Sequence, residues 1–208
     1  MLAYPASNKP IDYTKKVFIQ PKLDGVRCLI QREPAFPGRP DLASFNVKAY
    51  SRTGKEWKNI DHILQSLKPF FFYNPDVVLD GELYNHDLKN DFETIISLVR
   101  RQKPDDIDML ESADMVQFHC YDCINIGLID ASFENRMNFI AHHVPHNYCV
   151  KHVTTDRVYK HEEALDIHHN ANLANGYEGS ILRTNDPYAC KRSHNLRKFK
   201  DFHDTEAT

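Results

Sequence analysis

Short β-rich runs alternate with stretches of helical spacing along the chain. Val17-Phe18-Ile19-Gln20 reads as a strand closed by Pro21, and Val26 to Gln31 alternates and reads as a second strand. Three prolines and a glycine in residues 33–41 predict a surface loop. Asn46 to Arg52 reads as a further strand, ended by Thr53-Gly54. Ile60, Ile63, Leu64 and Leu67 sit at helical spacing, and so do Phe92, Ile95, Ile96 and Val99, which predicts helices over 59–67 and 91–101. Val77 to Asp80 reads as a buried strand with Gly81 after it. Met115–Ile124 and Tyr148–Val153 are expected as strands, and Ser132–His142 and Glu162–Ala174 as helices. Tyr177–Arg183 and Leu196–Lys200 are the last predicted strands, while residues 1–16 are polar and expected to be irregular. The irregular order and the polar–apolar alternation favour an α+β fold with largely antiparallel sheets over a doubly wound parallel sheet.

Composition narrows the class. With 208 residues, 41% hydrophobic and 26% charged, the chain can bury a core as one large domain or two small ones. No apolar run is long enough to span a bilayer, and Met1-Leu2-Ala3-Tyr4-Pro5 lacks the pattern of a signal peptide. Five cysteines do not make a disulfide framework, so a cytoplasmic setting is expected. Net charge is only -3, but it is uneven. Residues 9–32 carry six Lys/Arg against two Asp/Glu, and residues 183–200 carry six against one. Residues 104–170 carry four against twelve. The two basic segments would suit phosphate or nucleic acid if the fold brings them together, and are otherwise two solvated faces.

Candidate chemistry starts at Lys22-Leu23-Asp24-Gly25-Val26-Arg27, which lies between two predicted strands. A lysine acts as a nucleophile only when neutral, and at pH 7 an unperturbed one is neutral about 0.04% of the time. Nearby cations or burial raise that fraction. Gly25 allows close backbone approach, and Arg27 offers a planar fork to phosphate or ribose. Downstream come Ser51-Arg52-Thr53-Gly54, Asp80-Gly81-Glu82-Leu83-Tyr84, Phe118-His119-Cys120-Tyr121-Asp122, Glu178-Gly179-Ser180-Ile181-Leu182-Arg183 and Lys198-Phe199-Lys200. In this order the six segments resemble motifs I, Ia, III, IIIa, IV and V of the covalent nucleotidyltransferases, which comprise polynucleotide ligases and messenger-RNA capping enzymes. Lys191-Arg192-Ser193 followed by Leu196, and the amphipathic stretch from Phe92 to Arg101, are most similar to phage- and virus-type ATP-dependent DNA ligases.

The resemblance implies an ATP-grasp-like nucleotidyltransferase domain, with two mainly antiparallel sheets flanked by helices and the nucleotide site between them. It implies that Lys22 attacks the α-phosphorus of ATP to give lysyl-AMP. AMP then passes to a 5′-phosphate at a nick in double-stranded DNA, and a 3′-hydroxyl displaces it. Gln20, Lys22, Asp24, Arg27, Glu82, Glu178, Lys198 and Lys200 would meet the nucleotide, with Lys198 and Lys200 catalytic alongside Lys22. Phe118 or Tyr121 would stack on adenine, and strand alternation lets only one of them do so. Glu178 and Glu82 would serve Mg²⁺, and Arg52, Lys191 and Arg192 would contact DNA. Such proteins act as monomers without a membrane. Only eight residues follow Lys200, so the chain is expected to be a single adenylation domain over 1–208, without the OB-fold domain that usually follows. An RNA ligase and a GTP-using capping enzyme share the lysine chemistry. A non-catalytic module that keeps the pocket is the alternative of a different class.

Plain structural roles compete at several positions. Asp80 and Asp122 suit strand-end hydrogen bonding as well as catalysis, and Tyr84 and Phe199 suit core packing. Cys120 and Cys123 have CxxC spacing, but no second pair exists and an alternating strand would turn them to opposite faces. His142, His143, His146, His168 and His169 read as surface histidines, and the glycine-rich phosphate loop GxxxxGK[ST] is absent.

Overall fold

The computed structural model describes residues 2–6, 10–36, 44–125 and 131–200. The predicted loop over 33–41 therefore lies partly, and the segment after Lys200 wholly, outside the described residues. The chain forms two compact units, Met1–Asp24 with Thr154–Thr208, and Gly25–Val153. Among the described residues no helix is long and apolar enough to cross a membrane.

The first unit is built on a sheet of β1 (Leu2–Pro5), β2 (Val17–Lys22), β9 (Asp156–Val158), β10 (Gly179–Thr184) and β11 (Arg192–Lys200), in the order β1-β11-β10-β2-β9. Only the β1–β11 pair is parallel. Val17, Ile19 and Leu182 meet Val158 and Ala164 in a small core, with Tyr13 and Phe199 packed against it. Ala164 belongs to a π-helical segment, Glu163–His169, which runs on into helix α5 (Asn170–Ala174). The two basic segments meet here in part, because β2 and β11 are the two neighbours of β10.

The second unit carries a sheet of β3 (Val26–Pro34), β4 (Phe45–Tyr50), β5 (Glu56–Trp57), β6 (Val77–Tyr84), β7 (Gln117–Asn125) and β8 (Val150–His152), ordered β5-β4-β3-β6-β7-β8. All of its pairs are antiparallel except β7–β8. Helices α1 (Asp61–Tyr73), α2 (Phe92–Arg100), α3 (Asp106–Met115) and α4 (Phe133–His143) belong to this unit. Ile63, Leu67, Ile95, Leu98 and Ile140 of these helices join Ile30, Leu79, Leu83 and Val150 of the strands in one core. α1 runs through Pro69 to Tyr73, past its predicted end, because Phe70 and Phe71 continue the buried stripe. α4 starts where expected, with the Ser132 hydroxyl accepting from the backbone N–H of Asn135.

Several expectations are corrected. Residues 2–5 form a strand rather than irregular chain. Gly81 does not end β6 but lies inside it, directly over the Phe118 ring, where a Cβ would sit 2.5 Å from that ring. The helix over 162–174 is π-helical for most of its first half. The acidic stretch after residue 104 holds α3, which the apolar pattern misses because its buried residues are Asp108 and Ser112. Asp105 and Asp108 cap each other's backbone N–H groups, Arg101 pairs with Asp108, and the Ser112 hydroxyl donates to the Asn59 carbonyl. His169 is buried against Phe199 and the Ser180 hydroxyl, so it is not a surface histidine.

Candidate active site

In the first unit the register of three adjacent strands assembles the lysines. Lys22 lies opposite Gly179, and Gly179 opposite Lys200. One row further along, Gln20 lies opposite Ile181 and Ile181 opposite Lys198. Residues paired across a sheet share a face, so Lys22, Lys198, Lys200 and Gln20 stand together. Glu178 precedes β10 and donates its backbone N–H to the Lys22 carbonyl, 3.2 Å away. Its carboxylate accepts from Lys22 Nζ at one oxygen and from Lys200 Nζ at the other. Burial raises the Glu178 pKa, but the hydrogen bonds from Lys200 and Lys22 outweigh it and hold the group below its ordinary value.

Gly179 makes this approach possible. Its φ is +148°, and a Cβ there would sit 2.2 Å from the Phe199 carbonyl oxygen. The third row holds Arg183, whose Nε donates to Gln20 Oε1 at 2.7 Å. Gln20 Nε2 in turn donates to the Thr155 hydroxyl at 2.8 Å. Gln20 is thus fixed at both ends of its amide, two residues before Lys22.

The second unit carries another row of polar side chains. Arg27 lies opposite Glu82, Glu82 opposite His119, and His119 opposite Lys151. Arg27 forks onto buried Asp80, with Nε at 2.9 Å and Nη2 at 2.8 Å from its two oxygens. Tyr121 reaches Glu82 through its hydroxyl at 3.5 Å. Burial, with Lys151, His86 and His146 nearby, pushes the His119 pKa down to about 4. Phe118, one of the two candidates for stacking, is 0% exposed and belongs to the core. That removes it as a base platform and leaves Tyr121, which is partly buried.

The reason lies in the pairing of β6 with β7. Gly81 pairs with Cys120 and Asp80 with Asp122, so Tyr121 is an extra residue in a β-bulge. The bulge also undoes the expected alternation of the CxxC pair, since Cys120 and Cys123 are both buried in the core. Burial raises both thiols, that of Cys123 to about 12, so neither is a ready metal ligand. Asp122 is held by Arg136 of α4, with Nε at 2.7 Å and Nη2 at 3.2 Å.

The remaining predicted residues are simply placed. Asp24 is exposed after β2, Arg52 is exposed in the turn after β4, and Lys191 and Arg192 are exposed where β11 begins. The Arg192 guanidinium lies over the Tyr4 ring at 5.5 Å. Tyr84 and Phe199 pack in the cores, and Asp80 and Asp122 are buried ion-pair partners. Thr155 and Arg136 were not anticipated, because neither belongs to a motif and each is tied to its partner only through tertiary structure. No group of three or more His, Cys, Asp or Glu residues suited to a metal exists among the described residues. Glu178 still fits a hard cation of the kind that is held by one or two carboxylates and by substrate phosphates.

The first unit thus gathers Lys22, Lys198 and Lys200 on one sheet face with the Glu178 carboxylate between Lys22 and Lys200, and the second unit separately carries an Arg27–Glu82–Tyr121 set. The chain matches the ATP dependent DNA ligase domain family over residues 1–200 and belongs to that family. It is 26% identical over 183 residues to the DNA ligase of African swine fever virus (isolate Pig/Kenya/KEN-50/1950), covering 82% of this chain and 37% of the viral protein. Its fold is similar to the solved structure of Pmar-Lig_PreS3, with TM-score 0.71 and 22% identity over 96% of this chain and 46% of that one. It is also similar to the ATP-dependent DNA ligase of bacteriophage T7 solved with ATP, with TM-score 0.67 and 18% identity over 96% of this chain and 67% of the other. The chain thus spans between about a third and a half of the length of the viral ligase and of Pmar-Lig_PreS3.

Proposed function

We propose that this domain carries out the adenylation step of an ATP-dependent DNA ligase. Lys22 Nζ, as the neutral amine, forms a bond to the α-phosphorus of ATP while the bond to pyrophosphate breaks, leaving AMP as a phosphoramidate on the lysine. AMP then moves to the 5′-phosphate at a nick in double-stranded DNA, and the 3′-hydroxyl closes the strand and releases AMP. The reading is supported above all by Lys22 and Lys200 sharing the two oxygens of Glu178, with Lys198 one row away on the same face. Such chemistry is mostly positioning and charge neutralisation, and three amines around one phosphoryl group supply both. Arg27 and Tyr121 suit ribose and adenine, and Arg52, Lys191 and Arg192 are exposed cations suited to DNA phosphate. Mg²⁺, for which Glu178 in the first unit and Glu82 in the second are the candidate carboxylates, would neutralise charge on the nucleotide phosphates when bound.

Incubation with ATP labelled at the α-phosphate tests the reading. The chain is expected to acquire a covalent label that Lys22→Ala abolishes. No label with Mg²⁺ or Mn²⁺ overturns the enzyme reading and leaves a binding module. Labelling preferentially from GTP points to capping chemistry, and sealing of RNA nicks in preference to DNA nicks points to an RNA ligase.

A further inference from the structure

We propose that Arg136 is a positioning residue for the nucleotide base, acting through Asp122 on the bulge that presents Tyr121. The proposal rests on the reading above that Tyr121 meets adenine. Arg136 lies on α4, outside all six motifs, yet it is 5% exposed and its partner Asp122 is 0% exposed. The guanidinium forks onto both Asp122 oxygens, and its Nη1 donates to the Ala131 carbonyl at 2.6 Å. Asp122 Oδ1 also accepts the backbone N–H of Cys123 at 2.8 Å. The residue immediately after Tyr121 is therefore tied to α4 and to its own strand at once.

A bulge interrupts the ladder at the residue it re-aims, so the ladder alone does not fix the direction of Tyr121. The side-chain fork supplies the missing restraint. A buried ion pair is a poor source of stability, since apolar replacements of similar volume are often as stable. What a planar bidentate fork supplies is geometry. The neighbouring Asp80–Arg27 fork holds the other side of the same bulge, because Asp80 pairs with Asp122 in the β6–β7 register. Two forks thus bracket Tyr121, the residue that the bulge adds to β7.

Base stacking is the same in the ground state and the transition state, so its loss should raise the half-saturating ATP concentration and spare the maximal rate. The test follows Lys22 adenylation against ATP and CTP concentration in the full chain, with thermal unfolding recorded in parallel. The double variant Asp122→Leu with Arg136→Met, which replaces the pair by apolar groups, is expected to unfold near the unsubstituted protein. Its half-saturating ATP concentration should rise about tenfold, with the maximal rate within about twofold and the preference for ATP over CTP reduced. Tyr121→Ala should show the same split. Arg136→Lys keeps the charge but not the fork, and is expected to show a smaller rise, which serves if the double variant does not fold. A folded double variant, or Arg136→Lys, with unchanged ATP saturation and selectivity overturns the proposal while leaving the Tyr121 reading intact, provided Tyr121→Ala is impaired. An unimpaired Tyr121→Ala overturns both.

Discussion

Glu178 is the residue on which the lysine half of the site turns. It is flanked by two ammonium groups, and its carboxyl is held below its ordinary pKa by their hydrogen bonds against the pull of burial. Each lysine therefore shares its counter-charge with the other. Removing Lys200 leaves the Glu178 carboxylate entirely to Lys22 and takes away one of the cations that would steady the phosphate. Lys200→Ala is expected to slow adenylation by about 10²-fold with little change in thermal stability, measured as the rate of label transfer from α-labelled ATP. A rate within a fewfold of the unsubstituted protein would mean that Lys200 neither relieves Glu178 nor steadies the phosphate. Residue identity made this arrangement partly legible in sequence. The alternation of Lys198 and Lys200 puts them on one face, but that Glu178 takes both Lys22 and Lys200 depends on the register of three strands. Only the fold sets that register.

At the level of elements, two histidines tie helix and strand to backbone. His62 of α1 bonds the Val116 carbonyl at 2.9 Å, and His152 of β8 bonds the Val144 carbonyl at 3.0 Å. Burial is the main cause that pulls both pKa values down from 6.5. A depressed histidine pKa means that the unfolded chain takes up protons first as pH falls. The stability these groups contribute is complete above about pH 6.5 and declines below it. Urea unfolding from pH 7.5 to 5 is expected to show a loss of stability that His62→Gln with His152→Gln reduces. An unchanged slope would place the acid sensitivity elsewhere. Elements with an apolar stripe, such as the start of α1 and all of α2, were legible because burial there is hydrophobic. α3 was not, since it buries Asp108 and Ser112 and exposes Ile107 and Leu110. Its signature was the reciprocal Asp105–Asp108 cap, a polar signal that hydrophobic periodicity does not read. The bulge at Tyr121 escaped for a related reason, because alternation counts residues and a bulge adds one.

For the molecule as a whole, two sheets each carry part of the predicted chemistry. The first holds Lys22, Glu178, Lys198 and Lys200, and the second holds Arg27, Glu82 and Tyr121. The motifs gave the order of these parts along the chain, and strand pairing gave each part its geometry. Everything proposed for the domain depends on one covalent event at Lys22. The most direct test is intact-mass and peptide mass spectrometry of the protein after incubation with ATP and Mg²⁺. The account predicts an added AMP on the peptide containing Lys22, removed by pyrophosphate and absent in Lys22→Ala. An unmodified chain under these conditions, or AMP on any other residue, would contradict it.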